Sequence, residues 1–144
     1  MNFTRRFTLI AAATFPTLAS CEVKMPAVFS SHMVLQRDSP LKIWGSADPG
    51  EKVAVSIGGS TAKTTTGNEG RWAVEIPAMK ADGGKPHQLE ISGTNKIVLE
   101  DVLIGDVWIG SGQSNMEWSL KGSAQSKEFI VKANHDRIRL FHIP

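Results

Sequence analysis

"LKIWGSADPGEKVAVSIGGS", residues 41–60, is the stretch on which the fold turns. Leu41 and Ile43, then Val53, Val55 and Ile57, fall at alternate positions, which is the period of a strand with one buried face. Between the two runs stands Ala47-Asp48-Pro49-Gly50-Glu51, and Gly58-Gly59 closes the second; both supply residues that turns require. The same rhythm continues downstream in Trp72, Val74 and Ile76 and again in Leu89 and Ile91, with "GNEG" (67–70), "ADGGKP" (81–86) and "SGTNK" (92–96) as punctuation. No helical period interrupts it. Short strands at this spacing predict an antiparallel, jelly-roll-like β-sandwich over residues 22–103.

Ahead of it lies "MNFTRRFTLIAAATFPTLAS", residues 1–20. Arg5 and Arg6 precede an apolar stretch from Phe7 to Ala19, the layout of a secretory signal peptide and too short to cross a bilayer stably. "LASC", 18–21, resembles a bacterial lipoprotein box with Cys21 as the acylated residue. The leader thus predicts a secreted or periplasmic protein, either free or lipid-anchored through Cys21, with no other membrane contact. The 144 residues are 41% hydrophobic and 21% charged, a globular composition. The formal charge of +2 comes from the leader, since without Arg5 and Arg6 the chain has 14 basic against 14 acidic residues. That balance gives no clustered basic surface for a nucleic-acid partner. Cys21 is the sole cysteine, which leaves no disulfide framework and no thiolate metal cluster.

Beyond residue 104 the pattern changes. Asp106 to Ile109 reads as a buried strand. "SAQSKEFIVKAN" (123–134) reads as a helix capped by Ser123 or Ser126, with Phe129, Ile130 and Ala133 on one face and Glu128 four residues before Lys132. "RIRLFHIP" (137–144) alternates as a second strand. Strand, helix, strand opens a parallel α/β sheet, yet two parallel strands cannot cover both their faces. Residues 104–144 are therefore expected to be the first β-α-β unit of a truncated second domain, and the chain an N-terminal piece of a longer protein.

The first of those strands ends in "GSGQSNMEW", 110–118. The C-terminal end of a strand in an open α/β sheet is where ligands bind, which makes Ser114 a candidate nucleophile. A serine hydroxyl needs a base to take its proton and N–H donors for the oxyanion. The turn is not a G-x-S-x-G elbow, because Met116 stands where the second glycine would be.

"GDVWIGSGQSNMEW" (105–118) resembles the first block of the SGNH hydrolases, and specifically the sialate O-acetylesterase family. "FSSHMVLQRDSPLKIWGSADPGEKVAVSIGG" (29–59), "GRWAVEIPAMKADGGKPHQLEISG" (70–93) and "VLEDVLIGDVWIGSGQSNM" (98–116) are similar to that family's N-terminal β-sandwich in order and spacing. "MVLQR" and "GRW" favour this branch over the acetylxylan esterases, which share the pentapeptide. The resemblance implies a carbohydrate esterase that removes O-acetyl groups from sialic acid or a related sugar, with Ser114 as nucleophile and first oxyanion donor, and with no metal or cofactor. The other oxyanion donors and an Asp-x-x-His pair belong, in that family, to later chain, so this piece is expected to be inactive alone. Acetylxylan esterase activity and a non-catalytic carbohydrate-binding or structural role for the sandwich remain as alternatives.

Gln113 and Asn115 are candidates for orienting the nucleophile loop or binding substrate, although amides also satisfy turn backbone. Trp108 and Trp118 flank the serine and have the form of sugar-stacking residues or of core. Glu117 reads as a helix-start residue. His135 and Asp136 lie in the turn after the helix, at the wrong end of the unit to act as a local base, and His142 reads as a packed strand histidine. His32 and His87 present no metal-ligand spacing.

Overall fold

The computed structural model describes residues 22–142. Cys21 and the leader lie outside the described residues. Seven strands lie among the described residues: β1 (Val34–Gln36), β2 (Leu41–Ser46), β3 (Lys52–Ile57), β4 (Ser60–Thr65), β5 (Arg71–Ile76), β6 (His87–Ser92) and β7 (Lys96–Gly105). They form a five-stranded sheet of order β1-β7-β6-β3-β4 and a two-stranded sheet of β2 and β5.

Alternation in the sequence becomes alternation in burial. Leu41, Ile43, Trp72, Val74 and Ile76 from the small sheet meet Val53, Val55, Ile57, Leu89, Ile91, Val102 and Ile104 from the large one in a single core. Burying a branched aliphatic side chain is worth about 1.5–3 kcal/mol, so this cluster is what fixes the two sheets face to face. On the other face of the small sheet, Lys42, Trp44 and Ser46 stand outward opposite Glu75, Ala73 and Arg71. Gly58 and Gly59, with φ of 57° and 82°, make the two-residue turn between Ile57 and Ser60, the primed geometry that matches strand twist. The Glu51 carboxylate accepts the Thr94 N–H at 2.6 Å and the Asp48 N–H at 3.2 Å, tying two loops together at one end of the sandwich.

The sandwich differs from expectation in three ways. Its halves hold five and two strands rather than the paired sheets of a jelly roll. It is not wholly antiparallel, because β1 runs parallel to β7 with Val34 opposite Leu103 and Gln36 opposite Gly105. Its last strand continues to Gly105, past the expected limit at residue 103. The strand β7 also contains an extra residue: two steps on β6, from His87 to Leu89, face three on β7, from Val102 to Leu99. Asp101 takes up the surplus at φ 52°, a bulge that shifts the inward positions from Ile97 and Leu99 to Val102 and Ile104.

The expected β-α-β unit is formed only in its helix. Residues 106–113 and 138–142 have no strand pairing among the described residues, because neither segment has a neighbour whose N–H and C=O groups it can meet. Val107, Trp108 and Ile109, expected to be buried, are exposed, the last two at 89% and 91%. The helix α1 spans Ser126–Lys132, shorter than expected. Neither serine caps it: Gln125 is the N-cap at φ 61° without a side-chain bond, and the Ser123 hydroxyl donates to the Leu120 carbonyl at 2.6 Å instead. Glu128 and Lys132 do pair, at 2.6 Å.

Candidate active site

The chain leaves the sandwich at a defined point. Arg37 N–H donates to the Gly105 carbonyl at 2.9 Å, Val107 N–H to the Gln36 side-chain oxygen at 2.9 Å, and the Arg37 Nε to Asp106 Oδ1 at 2.9 Å. A second carboxylate, Asp38, takes the other end of the same guanidinium at 2.8 Å. Asp106 first, and then Asp38, hold Arg37 above its ordinary pKa. Strand β1, from "MVLQR", therefore has a definable job. It pairs with β7 and then grips the first residues that lead toward Ser114.

Ser114 begins a one-turn 3-10 helix, Ser114–Glu117, with Gln113 as its N-cap in extended geometry. The turn is closed by backbone: Met116 N–H donates to the Gln113 carbonyl at 2.9 Å and Trp118 N–H to the Asn115 carbonyl at 3.2 Å. Gly110 and Gly112 do not have positive φ. Met116 packs on both: a Cβ on Gly112 would lie 2.8 Å from Met116 Cγ, and one on Gly110 would lie 3.2 Å from its Cε. A second 3-10 turn, Leu120–Gly122, follows, and there the Trp118 indole lies against Gly122, where a Cβ would come within 2.8 Å of Nε1.

Ser114, Gln113 and Asn115 are thus in one exposed turn. Neither the Ser114 hydroxyl nor its backbone N–H makes a hydrogen bond among the described residues. Gln113 and Asn115 contribute backbone carbonyls to the turn, and no side-chain bond of theirs orients it. Trp108 and Trp118 are exposed rather than core. His135, Asp136 and His142 are exposed, and none is bonded to Ser114. His32 and His87 have acidic partners in the sandwich, Asp101 at 2.6 Å and Asp82 at 2.8 Å.

One cluster had no sequence signal. Asp101 Oδ2 accepts from His32 Nδ1 and, at 2.9 Å, from Arg139 Nη1, so that the chain after α1 is brought back to the bulge of β7. The His32 hydrogen bond, followed by Arg139, holds the Asp101 carboxyl below its usual range. The residues are 69 and 38 positions apart from start to bulge and bulge to end, and His32 is set beside the bulge by its N–H on the Glu100 carbonyl at 2.9 Å and by the Glu100 N–H on the Ser31 hydroxyl at 3.0 Å.

A β-rich domain followed by this turn is similar to the corresponding part of a carbohydrate esterase. No protein-family model matches the chain. It is 32% identical to the mouse sialate O-acetylesterase over 148 residues, covering 94% of this chain and 27% of that protein. It is 34% identical to the rat protein of the same name over 131 residues, covering 83% and 24%. Among solved structures it is similar to a carbohydrate acetylesterase from Xanthomonas citri, with a TM-score of 0.75 and 35% identity over 80% of this chain and 26% of that one. The chain belongs to the sialate O-acetylesterase family. It spans about a quarter of the length of the curated relatives it matches.

Proposed function

We propose that this chain is the N-terminal part of a serine esterase that removes O-acetyl groups from sialic acid or a related sugar, and that Ser114 is its nucleophile. The observation that carries the reading is the turn itself, in which a serine with an unbonded hydroxyl and an unbonded backbone N–H is held on glycines packed under Met116. The names of the relatives support the substrate class. In this mechanism Ser114 Oγ attacks the acetyl carbonyl and its own N–H donates to the oxyanion. The sugar leaves with a proton, and water releases acetate from the acyl-enzyme.

A base must take the serine proton, and no histidine or carboxylate among the described residues bonds to Ser114. The base is assigned to chain outside these residues, so the 144-residue piece is inactive by itself. In the complete protein we place 106–109 and 138–142 as strands of an SGNH-type α/β sheet, which would cover the apolar side chains now exposed there. The leader argues for a secreted or periplasmic enzyme, either free or anchored through a lipid on Cys21.

The test is hydrolysis of p-nitrophenyl acetate and of an O-acetylated sialic acid by the complete protein, its Ser114→Ala variant and the 144-residue chain. Loss of the nucleophile lowers turnover by about 10⁴ or more. A variant that kept above about a tenth of the wild-type rate would remove Ser114 from the mechanism. Ser114-dependent turnover by the short chain would instead place the base within it.

A further inference from the structure

We propose that the outer face of the β2–β5 sheet is a second sugar-binding surface, a shelf on which a pyranose ring of a glycan stacks against Trp44. Trp44 lies in the middle of β2 and is 46% exposed. Phe29, itself buried, braces it edge-on with ring centroids 4.6 Å apart and planes at 76°. An exposed indole with a fixed register and a buried brace is a preorganised plate; Trp108 and Trp118, though more exposed, sit on no strand. Opposite Trp44 across the ladder is Ala73, whose small side chain leaves the space beside the indole open, and a shallow depression lined by Lys42, Trp44, Ala73 and Glu75 marks it.

The neighbours decide what the shelf takes. Lys42 faces Glu75 on one side of the indole and Ser46 faces Arg71 on the other. None of these four side chains, nor the Trp44 N–H, has a hydrogen bond or ion pair among the described residues. From Lys42 to Ser46 the strand spans about 13 Å of donors and acceptors around one aromatic plate. A protein surface docked here would have to pair or bury three charged groups, which is costly where a pair is imperfect. A sugar presents C–H groups to the indole and hydroxyls to both ammonium and carboxylate, and leaves them partly in water. Aromatic side chains with a polar tip suit such mixed surfaces.

The choice of a sugar over other polyols rests on the esterase reading, but the surface is separate from Ser114 and its test reads binding rather than turnover. The 144-residue chain is titrated by saturation-transfer NMR with two probes, xylohexaose and an α2,8-linked trimer of N-acetylneuraminic acid. At least one should bind, with a Kd unchanged by Ser114→Ala and Trp108→Ala. Trp44→Ala should weaken it about tenfold, the upper end for one aromatic contact. Ala73→Arg keeps the indole and fills the shelf, so it should do the same and decides the matter if Trp44→Ala does not fold. Binding of the xylan probe alone defines a neutral-glycan surface and of the sialyl probe alone an acidic one. Binding of neither, or equal binding by both shelf variants and wild type, overturns the proposal. In the complete protein Trp44→Ala should leave p-nitrophenyl acetate hydrolysis unchanged, so that loss of the shelf and loss of the Ser114 chemistry are seen by different assays.

Discussion

Residues 22–105 and residues 106–142 are supplied with the same kinds of large apolar side chain and use them in opposite ways. In the first region Ile43, Val55, Ile76, Leu89 and Ile91 are fully buried between two sheets. In the second, Trp108, Ile109 and Leu140 are nearly as exposed as free residues, at 89%, 91% and 94%. Composition does not separate the regions; layering does. An amphipathic element becomes part of a core only when a second layer covers its apolar face, and the sandwich supplies two layers where the tail supplies one short helix. The same difference divides the two sites proposed above. The shelf proposed at Trp44 stands on two packed sheets, whereas the turn at Ser114 has no such second layer among the described residues.

The sharpest way to break this comparison is amide hydrogen exchange on the chain as it stands. Amides of β3, β6 and β7 open only with the whole domain, whose stability for a fold of this kind is about 5 kcal/mol or more, while those of 107–142 open locally at little cost. Protection at Val55 and Ile91 should therefore exceed that at Phe129 and Ile130 by about 10³ or more. Equal protection from β2 to α1 would mean that the two regions form one cooperative unit.

Side-chain truncation sharpens the same contrast at smaller scale. Ile91 is fully buried between β3 and β7, so Ile91→Ala should cost about 2–5 kcal/mol in denaturant unfolding. Phe129, about half exposed on α1, should change the same midpoint by no more than about 0.5 kcal/mol when replaced by alanine. A large effect at Phe129 would show a packed partner for the helix in solution.

How much of this was legible beforehand depends on where period two holds. It holds through β2, β3, β5 and β6, and there the inward residues fall where the alternation puts them. It fails at β7, because the bulge at Asp101 moves the inward set from odd to even positions. "KIVLEDVLIG" then reads as broken alternation, although it is one strand of ten residues. Strand β4, "STAKTT", has only Ala62 as an apolar inward residue and hides among turn-forming residues. In the tail, local pattern pointed to strands that need hydrogen-bonding neighbours, and no reading of local pattern can provide those. The motif nominated Ser114 as a candidate, but the packing of Met116 on the neighbouring glycines is visible only in three dimensions.

The smallest effect concerns one of the ties between the two regions, Arg139 on Asp101. Asp101 holds a left-handed backbone angle that only the bulge demands, and its carboxylate is shared between His32 at 2.6 Å and Arg139 at 2.9 Å. The Arg139 Nε is buried there without a partner of its own, which leaves the hold on the tail to Nη1. The Asp101 carboxyl is held below its usual range, by His32 first and then Arg139. A carboxylate with a lowered folded pKa stabilises its contacts fully above its unfolded value, about 3.9, and loses that contribution as pH falls through the folded one. The tie should therefore be intact at neutral pH and fail only in acid. Partly exposed ion pairs are weak and screened by salt, so the readout must be local. Asp101→Asn, at neutral pH and low salt, should speed exchange of the 138–142 amides a few-fold while leaving β3 and β6 unchanged, and should flatten the acid-dependent rise seen in the parent chain after correction for intrinsic exchange. If parent and variant exchange alike across the whole acid range, the tail is held by something other than this carboxylate.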